Sequence, residues 1–256
     1  MAGKIIMCAP AKTGTTHWQY AMNAIFRNQS ISEIEIDETF NYSNLPRMSN
    51  YVKYLYSGNH TEEKISIFYR QIEDWVFGEK TKKFINVRHP LARLYSAWKN
   101  KFVGTASPAF LKLDNSVKKY QLLTDKKRFE NQRISFEAFI MWLVNEELDS
   151  TQKIKKANPH WQPITSICLP CEIPYDYLTR LESVEEDSAA LFQALKVDKI
   201  GYFPSPYNNT DMNYMNYHKT LKELYSGVPT HNLKALIKIY KFDFELFGYE
   251  YEFILE

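Results

Sequence analysis

A strand that passes through a polar loop into a helix, close to the first residue, restricts the possible folds most. Residues 4–9 form an apolar run that predicts a short buried strand, and residues 15–28 carry apolar side chains at helical spacing. The first-turn N–H groups of such a helix lack intrahelical partners, and the helix dipole adds partial positive charge there. The pattern therefore predicts an α/β protein with an anion-binding loop after its first strand.

The residues of this loop suit a phosphate-like group. Gly14 allows the backbone to approach a ligand closely, and Lys12 adds a full positive charge. Thr15 and Thr16 add hydroxyl donors. An ATPase loop places its lysine directly after the last glycine, whereas Lys12 precedes Gly14. A P-loop-like kinase is therefore a weak interpretation of this loop. A capped helix with a solvated lysine, which binds no ligand, is the other interpretation.

A second strand and helix repeat this arrangement at residues 83–87 and 90–102. Arg88 stands at the end of the strand and Ser96 lies in the helix. Open α/β sheets bind ligands at the carboxyl ends of their strands, so both loops are expected to face one crevice. An arginine binds phosphate bidentately and a serine hydroxyl donates to the same group. The two stretches predict two anion-binding elements that serve one ligand.

The rest of the chain continues the alternation of strands and helices. We predict one further strand at 175–181, helices at 62–77, 135–147 (capped by Ser135), 184–195 and 231–247, and irregular surface segments at 104–133 and 201–213. This order favours a central parallel sheet flanked by helices. No linker composition marks a boundary, so residues 1–256 are expected to form a single catalytic domain.

Composition narrows the possible partners. Hydrophobic residues make up 45% and charged residues 24% of the chain, which is typical of a globular protein. A formal charge of +2 gives no argument for nucleic-acid binding, so any anion site must be built locally. No apolar run approaches the length that crosses a bilayer, so membrane attachment would need an anchor outside these residues.

The three cysteines leave two possibilities open. Cys168 and Cys171 form a C-L-P-C pair and Cys8 stands apart; without a second pair, no zinc site and no bound metal are expected. The pair is either a local disulfide or two buried thiols. Four N-x-[ST] sequons, which begin at Asn28, Asn41, Asn59 and Asn208, favour a lumenal glycoprotein slightly.

Four separated stretches together resemble one family. "PAKTGTTHW" resembles the 5′-phosphosulfate loop of sulfotransferases, and "VRHPLARLYSAWKNKF" resembles their 3′-phosphate element. "NPHWQPITSICLPCEIPYDYLTRLESVEED" and "IYKFDFELFGY" are similar to segments of the Golgi carbohydrate sulfotransferases that act on chondroitin, dermatan and related glycans. The resemblance covers nearly the whole chain in order, and it implies a P-loop-like sulfotransferase fold.

The resemblance implies the donor 3′-phosphoadenosine 5′-phosphosulfate, with adenosine 3′,5′-bisphosphate as product and no metal. Arg88 and Ser96 would hold the 3′-phosphate, and Lys12 would also stabilise the leaving phosphate oxygen. The 5′-phosphosulfate would be held by Lys12, Thr13, Gly14, Thr15 and Thr16. One departure from the family is His89, which replaces the usual acid after the arginine and leaves the capping of that helix in question.

The acceptor implied by the resemblance is a glycan hydroxyl, expected in an anionic polysaccharide such as a glycosaminoglycan. A weakly nucleophilic hydroxyl needs a general base, for which His160 is the candidate and Glu182 the alternative. Basic residues at 112–133 form either a rim for an anionic acceptor or, as the more usual outcome, a solvated surface. The family implies the Golgi lumen, with the cytoplasm as the alternative. A non-catalytic relative that binds glycans or nucleotides is the remaining hypothesis.

Overall fold

The computed structural model describes residues 5–27, 78–103, 108–124, 134–197, 203 and 217–256. Within them lie strands β1 (Ile5–Cys8), β2 (Lys82–Val87) and β3 (Tyr177–Arg180) and helices α1 (Thr15–Arg27), α2 (Pro90–Phe102), α3 (Pro108–Gln121), α4 (Phe136–Trp142), α5 (Thr151–Lys156), α6 (Ile164–Cys168), α7 (Val184–Ala194), α8 (Tyr217–Tyr225), α9 (Thr230–Ile239) and α10 (Lys241–Phe247). A π-helical turn covers Leu143–Glu147, and 3-10 turns cover Leu181–Ser183 and Glu252–Ile254. The helix expected at 62–77 and most of the loop expected at 201–213 lie outside the described residues.

The described residues divide into two compact units. The first lies within Met1–Arg88 and Ile167–Thr210, and the second within His89–Ser166 and Asp211–Glu256.

The first unit contains a parallel sheet in the order β1-β2-β3. Cys8 pairs with Ile85 across the first strand pair, and Val87 pairs with Arg180 across the second. All three strands were predicted within two residues of their observed ends, and the predicted α/β class with a parallel sheet is confirmed. Since the strands run the same way, the loops after Cys8, Val87 and Arg180 leave the same edge of the sheet.

One apolar core joins the helices of the first unit to its sheet. Trp18 of α1 is buried and lies 5.1 Å from the Phe84 ring of β2 and 4.5 Å from the Phe203 ring. Leu191 of α7 belongs to the same cluster of buried side chains. This core fixes where α1 begins, and therefore fixes the loop that precedes it.

The cysteine pairing differs from both expectations. Cys8 at the end of β1 forms a disulfide with Cys168 of α6, 160 residues later, while Cys171 is exposed and unpaired. The local C-L-P-C disulfide and the pair of buried thiols are therefore both wrong. Neither expectation paired Cys8, but the fold brings the Cα atoms of Cys8 and Cys168 to 5.9 Å, a normal disulfide span.

The second unit is helical in its described part and has a core rich in aromatic side chains. Phe102 of α2, Phe139 of α4 and Trp161 pack together with ring centroids 5.2–6.2 Å apart. Ser135 caps α4 as predicted, because its hydroxyl accepts a hydrogen bond from the Ala138 N–H. The chain then continues as a π-helical turn, in which the Leu148 N–H donates to the Leu143 carbonyl.

Two predictions of secondary structure in this unit were wrong. Residues 108–121, expected to be irregular, form α3 with Val117 fully buried. The single helix expected at 231–247 is two helices that meet at Tyr240, where ψ turns to 14°. In both places contacts with other elements outweigh the local pattern.

Candidate active site

A tight loop links β1 to α1, and its shape comes from one carbonyl. The Pro10 carbonyl accepts hydrogen bonds from the hydroxyls of Thr13 and Thr15, each at 2.7 Å, and from the Thr13 N–H at 3.3 Å. Thr13 is fully buried and Thr16 is exposed. The hydroxyls of Thr13 and Thr15 therefore hold the loop closed, and Thr16 presents its hydroxyl to solvent.

Two positive backbone angles turn the loop towards the sheet edge. Lys12 has φ 74° and Gly14 has φ 79°. A Cβ placed on Gly14 would lie 2.9 Å from Cδ1 of Leu181, the residue that follows β3. Only glycine fits here without displacing a neighbour, and the loop after β1 packs against the end of β3 for the same reason.

Arg88 connects this loop to the end of β2. Its Nη1 donates to the Lys12 carbonyl at 3.1 Å, so the structure brings the two predicted anion-binding residues together at one edge of the sheet. Arg88 is only 3% exposed, yet its Nε has no hydrogen-bond partner among the described residues. A buried guanidinium with an unsatisfied donor is suited to an anionic ligand.

A second buried polar group lies on β2 two residues earlier. The Oδ1 of the Asn86 side chain accepts a hydrogen bond from the Thr179 hydroxyl, whereas its Nδ2 has no partner among the described residues. Alternation along a strand directs the side chains of residues 86 and 88 to the same face of the sheet. Neither Asn86 nor Thr179 was identified from the sequence, because a single amide within an apolar strand has no motif.

The predicted site residues Ser96 and His160 belong to the second unit. Ser96 is half-buried in the middle of α2. The question about the start of α2 is answered by His89, whose Nδ1 accepts from the Leu91 N–H at 3.2 Å and whose Nε2 donates to the Glu250 carbonyl at 2.9 Å. A neutral histidine therefore caps α2 in place of an acid.

His160 lies in a turn before α6 and is partly exposed. The Asn158 side-chain oxygen lies 3.0 Å from the His160 backbone nitrogen and 2.7 Å from its Nδ1. The Asn158 carbonyl accepts from the N–H groups of Trp161 and Gln162 at 3.0 and 2.9 Å. These bonds give the imidazole a defined orientation.

Buried groups hold this turn from several sides. Arg93 of α2, fully buried, donates to the Pro159 and Gln162 carbonyls at 2.7 Å each. The Tyr240 hydroxyl donates to the Trp161 carbonyl, and the Trp161 indole N–H donates to the Glu147 carboxylate at 2.9 Å. No sequence motif connects α2, the π-helical turn and the junction of α9 and α10 with the histidine segment, because these bonds join distant parts of the chain.

Burial changes the pKa of two basic groups near the proposed motifs. It lowers the pKa of His17, which follows the loop after β1 and whose ring centroid lies 6.2 Å from that of Phe203. It also lowers the pKa of Lys101 near the end of α2. Both shifts arise because burial disfavours the charged form.

Two tryptophans and one lysine of the basic segment have structural roles in the described residues. Trp98 and Trp161 are buried in the core of the second unit. In the basic segment, Lys119 pairs with Glu146, which also accepts a hydrogen bond from the Tyr120 hydroxyl at 2.7 Å.

In the part of the chain that is described, no group of three His, Cys, Asp or Glu side chains is placed to hold a metal ion. Nor is any described helix both long and apolar enough to cross a membrane.

A strand, a tight loop and a helix, with a buried arginine after the neighbouring parallel strand, form an arrangement that suits an anionic ligand. A family model for the sulfotransferase family matches residues 2–250 of the chain. The chain therefore belongs to the sulfotransferase family, as the sequence motifs predicted.

Curated relatives show which sulfotransferases the chain is similar to. The chain is 28% identical over 261 residues to carbohydrate sulfotransferase 10 of Gallus gallus, covering 96% of this chain and 64% of the relative. It is 32% identical over 180 residues to carbohydrate sulfotransferase 12 of Xenopus laevis, covering 67% and 40%. It is 25% identical over 252 residues to carbohydrate sulfotransferase 11 of Mus musculus, covering 96% and 64%. The chain thus spans about 40–64% of the length of these relatives. No solved structure matches the chain.

Proposed function

We propose that this protein transfers a sulfuryl group from 3′-phosphoadenosine 5′-phosphosulfate to a hydroxyl of a carbohydrate. Residues 12–16 would hold the 5′-phosphosulfate group. Arg88 and Ser96 would hold the 3′-phosphate, which ATP lacks. Family membership and the names of the relatives support sulfuryl transfer to a carbohydrate.

One contact carries the donor assignment, the hydrogen bond from Arg88 Nη1 to the Lys12 carbonyl. It joins two loops that leave neighbouring strands, so positive charge from both can act on a single small ligand. The unsatisfied Nε of Arg88 fits an anionic ligand, since a buried donor gains a partner when a phosphate oxygen arrives. The glycine at position 14 fits as well, because a side chain there would meet Leu181.

The residues present supply the electrostatics that this reaction needs. Negative charge develops on the bridging phosphate oxygen as the sulfuryl group leaves, and the Lys12 ammonium is proposed to stabilise that charge. The first-turn N–H groups of α1 add partial positive charge at the same loop. Catalysis would therefore depend on positioning and on charge stabilisation, as in phosphoryl transfer.

His160 is proposed as the general base that takes the proton of the acceptor hydroxyl. Its hydrogen bonds to Asn158 hold the ring in one orientation, which supports a chemical role more than a purely packing one. Glu182 follows Leu181 on the 3-10 turn after β3 and remains the alternative base. Removal of a general base lowers the rate by about 10²–10⁴-fold.

We also propose that the acceptor is anionic and glycosaminoglycan-like, that residues 1–256 form a single catalytic domain, and that the protein resides in the Golgi lumen. The Cys8–Cys168 disulfide supports a lumenal location, because disulfides persist in oxidising compartments and are rare in the cytosol. Incubation with a panel of desulfated glycans and radiolabelled donor would identify the acceptor by sulfate incorporation.

Thermal-shift titration tests the donor assignment. Adenosine 3′,5′-bisphosphate at about 100 times its Kd should stabilise the protein by about 2.7 kcal/mol, a rise in Tm of roughly 5–10 °C. ATP with magnesium should produce a much smaller rise. Arg88→Ala and Lys12→Ala should each reduce the ligand-induced rise. Lys82→Ala, which removes an exposed positive charge at the other end of β2, is the matched control and should not.

Preference for ATP with magnesium would instead support the kinase hypothesis. An equal rise in Tm for Arg88→Ala and the unmodified protein would contradict the donor site.

The role of His160 as general base is tested with His160→Ala. This variant should bind the bisphosphate normally, and its rate of sulfuryl transfer should fall by about 10²–10⁴-fold. Normal turnover in that variant would remove His160 from the mechanism. Bisphosphate binding without sulfate incorporation into any glycan would indicate a non-catalytic relative.

A further inference from the structure

The Asn158 side-chain oxygen contacts two groups of His160 at once. It lies 3.0 Å from the His160 backbone nitrogen, whose N–H is a donor, and 2.7 Å from the ring Nδ1. A backbone N–H requires an acceptor, so the atom of Asn158 that faces it is the amide oxygen and not the amide nitrogen. An amide oxygen cannot donate, so the Nδ1 beside it must carry the proton of the neutral ring.

We propose that Asn158 is a positioning residue that holds neutral His160 in the Nδ1–H tautomer and leaves the lone pair on Nε2. The partner of one ring nitrogen sets the state of the other, and the pair at 2.7 Å is a short, well-formed hydrogen bond. In water the Nε2–H tautomer of a histidine side chain is the more common, so the turn reverses the ordinary preference. The tautomer is inferred from this contact, whereas its catalytic consequence rests on the proposed function.

The backbone of the turn keeps the two side chains in register. Besides the bonds from Trp161 and Gln162 to the Asn158 carbonyl, Arg93 holds the carbonyls on both sides of His160. Within the described residues, the charged groups bonded to this segment include Arg93, Glu147 and Asp243. Each contacts backbone or the Trp161 indole within this segment: Glu147 accepts from the Asn158 N–H at 3.4 Å and Asp243 from the Ile164 N–H at 2.7 Å. The partner described for Nδ1 is a neutral amide, so Asn158 sets the tautomer without adding a charge.

The catalytic consequence follows from where the lone pair lies. Nε2 is the ring nitrogen farther from the backbone, and a general base needs its lone pair within hydrogen-bond reach of the acceptor hydroxyl. The O–H proton then passes to Nε2 while Nδ1–H stays bonded to Asn158, and the imidazolium that forms keeps that bond. In the other tautomer Nε2 already carries a proton and cannot accept one.

Nitrogen NMR of protein labelled with ¹⁵N-histidine tests the tautomer directly. His160 in the unmodified protein should show Nδ1 as the protonated nitrogen and Nε2 as the unprotonated one above its pKa. Asn158→Ala should shift the ring towards Nε2–H, whereas Asn158→Asp should retain Nδ1–H. Asn145→Ala, a change of the same type at an exposed position of this unit, should leave the signals unchanged. An Nε2–H ring in the unmodified protein, or an unchanged ring in Asn158→Ala, would overturn the proposal.

Steady-state kinetics test whether the tautomer of His160 matters for sulfuryl transfer. Asn158→Ala should lower kcat by about 10–100-fold with little change in the KM for the donor. Asn158→Asp should restore most of kcat and move the acidic limb of the kcat–pH profile to higher pH, because a carboxylate stabilises imidazolium. If kcat were unchanged in Asn158→Ala although NMR shows the ring shifted, the positioning role would be overturned. If the unmodified protein transferred no sulfate, the Nδ1–H signal would still stand and only the proposed function would fail.

Discussion

At the scale of single residues, Gly14 combines an unusual backbone angle with a close neighbour. Gly14→Ala would place a methyl group 2.9 Å from Leu181 Cδ1 at a φ of 79°. Both effects strain the loop, so we expect a loss of about 1–3 kcal/mol in the free energy of unfolding. Urea denaturation measures this loss, and thermal-shift titration should show weaker bisphosphate binding in the same variant.

Gly248→Ala is the matched control for this substitution. Gly248 ends α10 in the left-handed conformation with φ 68°, so alanine there carries a similar backbone penalty. Gly248 belongs to the second unit and is not part of the loop after β1, so Gly248→Ala should leave bisphosphate binding unchanged. Equal losses of stability together with unchanged ligand affinity in Gly14→Ala would contradict the role assigned to the contact with Leu181.

Residue types and spacing predicted part of the candidate site. The charge of Lys12 and the position of Arg88 after a strand were readable from the sequence, and the structure places the two in contact. Asn158 and Arg93 belong to the sequence motifs, but the motifs do not reveal what these two side chains bind. Arg93 could be taken for an ordinary helix-entry charge, since only the folded chain brings its guanidinium to the carbonyls on either side of His160.

At the scale of elements, α10 is attached to α6 through one buried carboxylate. Asp243 accepts hydrogen bonds from the N–H groups of Ile164 and Thr165 and from the Thr165 hydroxyl, at 2.7–2.9 Å. Burial raises the pKa of this carboxyl, although the bonds from Thr165 and Ile164 oppose the shift. The carboxylate thus supplies acceptors to the start of a helix whose own N–H groups lack partners.

Asp243→Ala should lower the free energy of unfolding by about 2–4 kcal/mol, because it leaves buried donors unsatisfied. Thermal denaturation followed by circular dichroism measures the change. Asp149→Ala is the comparison, since Asp149 forms an exposed pair with Lys153 at 2.7 Å and should cost about 0.5 kcal/mol or less. Similar losses in the two variants would show that Asp243 acts as an ordinary surface charge.

Long elements with regular patterns were predicted well, and elements set by distant contacts were not. The limits of α2 match the prediction, because its apolar spacing and Pro90 near its start are local signals. The dense charge of residues 112–133 concealed α3, which the burial of Val117 and the bond from Tyr120 to Glu146 support. The break at Tyr240 likewise coincides with its bond to the Trp161 carbonyl, which no periodicity in the sequence encodes.

At the scale of the whole molecule, the Cys8–Cys168 disulfide closes a loop of 160 residues. Restricting so long a loop in the unfolded chain should stabilise the fold by about 2–5 kcal/mol. Cys8→Ser should therefore lower Tm by roughly 5–15 °C. Cys171→Ser removes the exposed thiol and should leave Tm unchanged.

Peptide mapping without reductant supplies the second measurement. It should recover one disulfide-linked peptide that contains Cys8 and Cys168. A link between Cys168 and Cys171, or an equal loss of Tm in Cys8→Ser and Cys171→Ser, would contradict the observed pairing. The sequence could not select this pairing, because the choice depends on where α6 lies relative to the end of β1 and not on spacing along the chain.

That bond also has a consequence for biosynthesis. At about 5–20 residues per second, the ribosome needs roughly 10–30 s to extend the chain from Cys8 to Cys168, 160 positions later, so Cys8 waits as a thiol for most of translation. Cys171 emerges within about a second of Cys168 at that speed, so order of emergence hardly distinguishes them. The correct choice must therefore come from folding, which brings Cys168 of α6, and not Cys171, to the end of β1 before the bond closes.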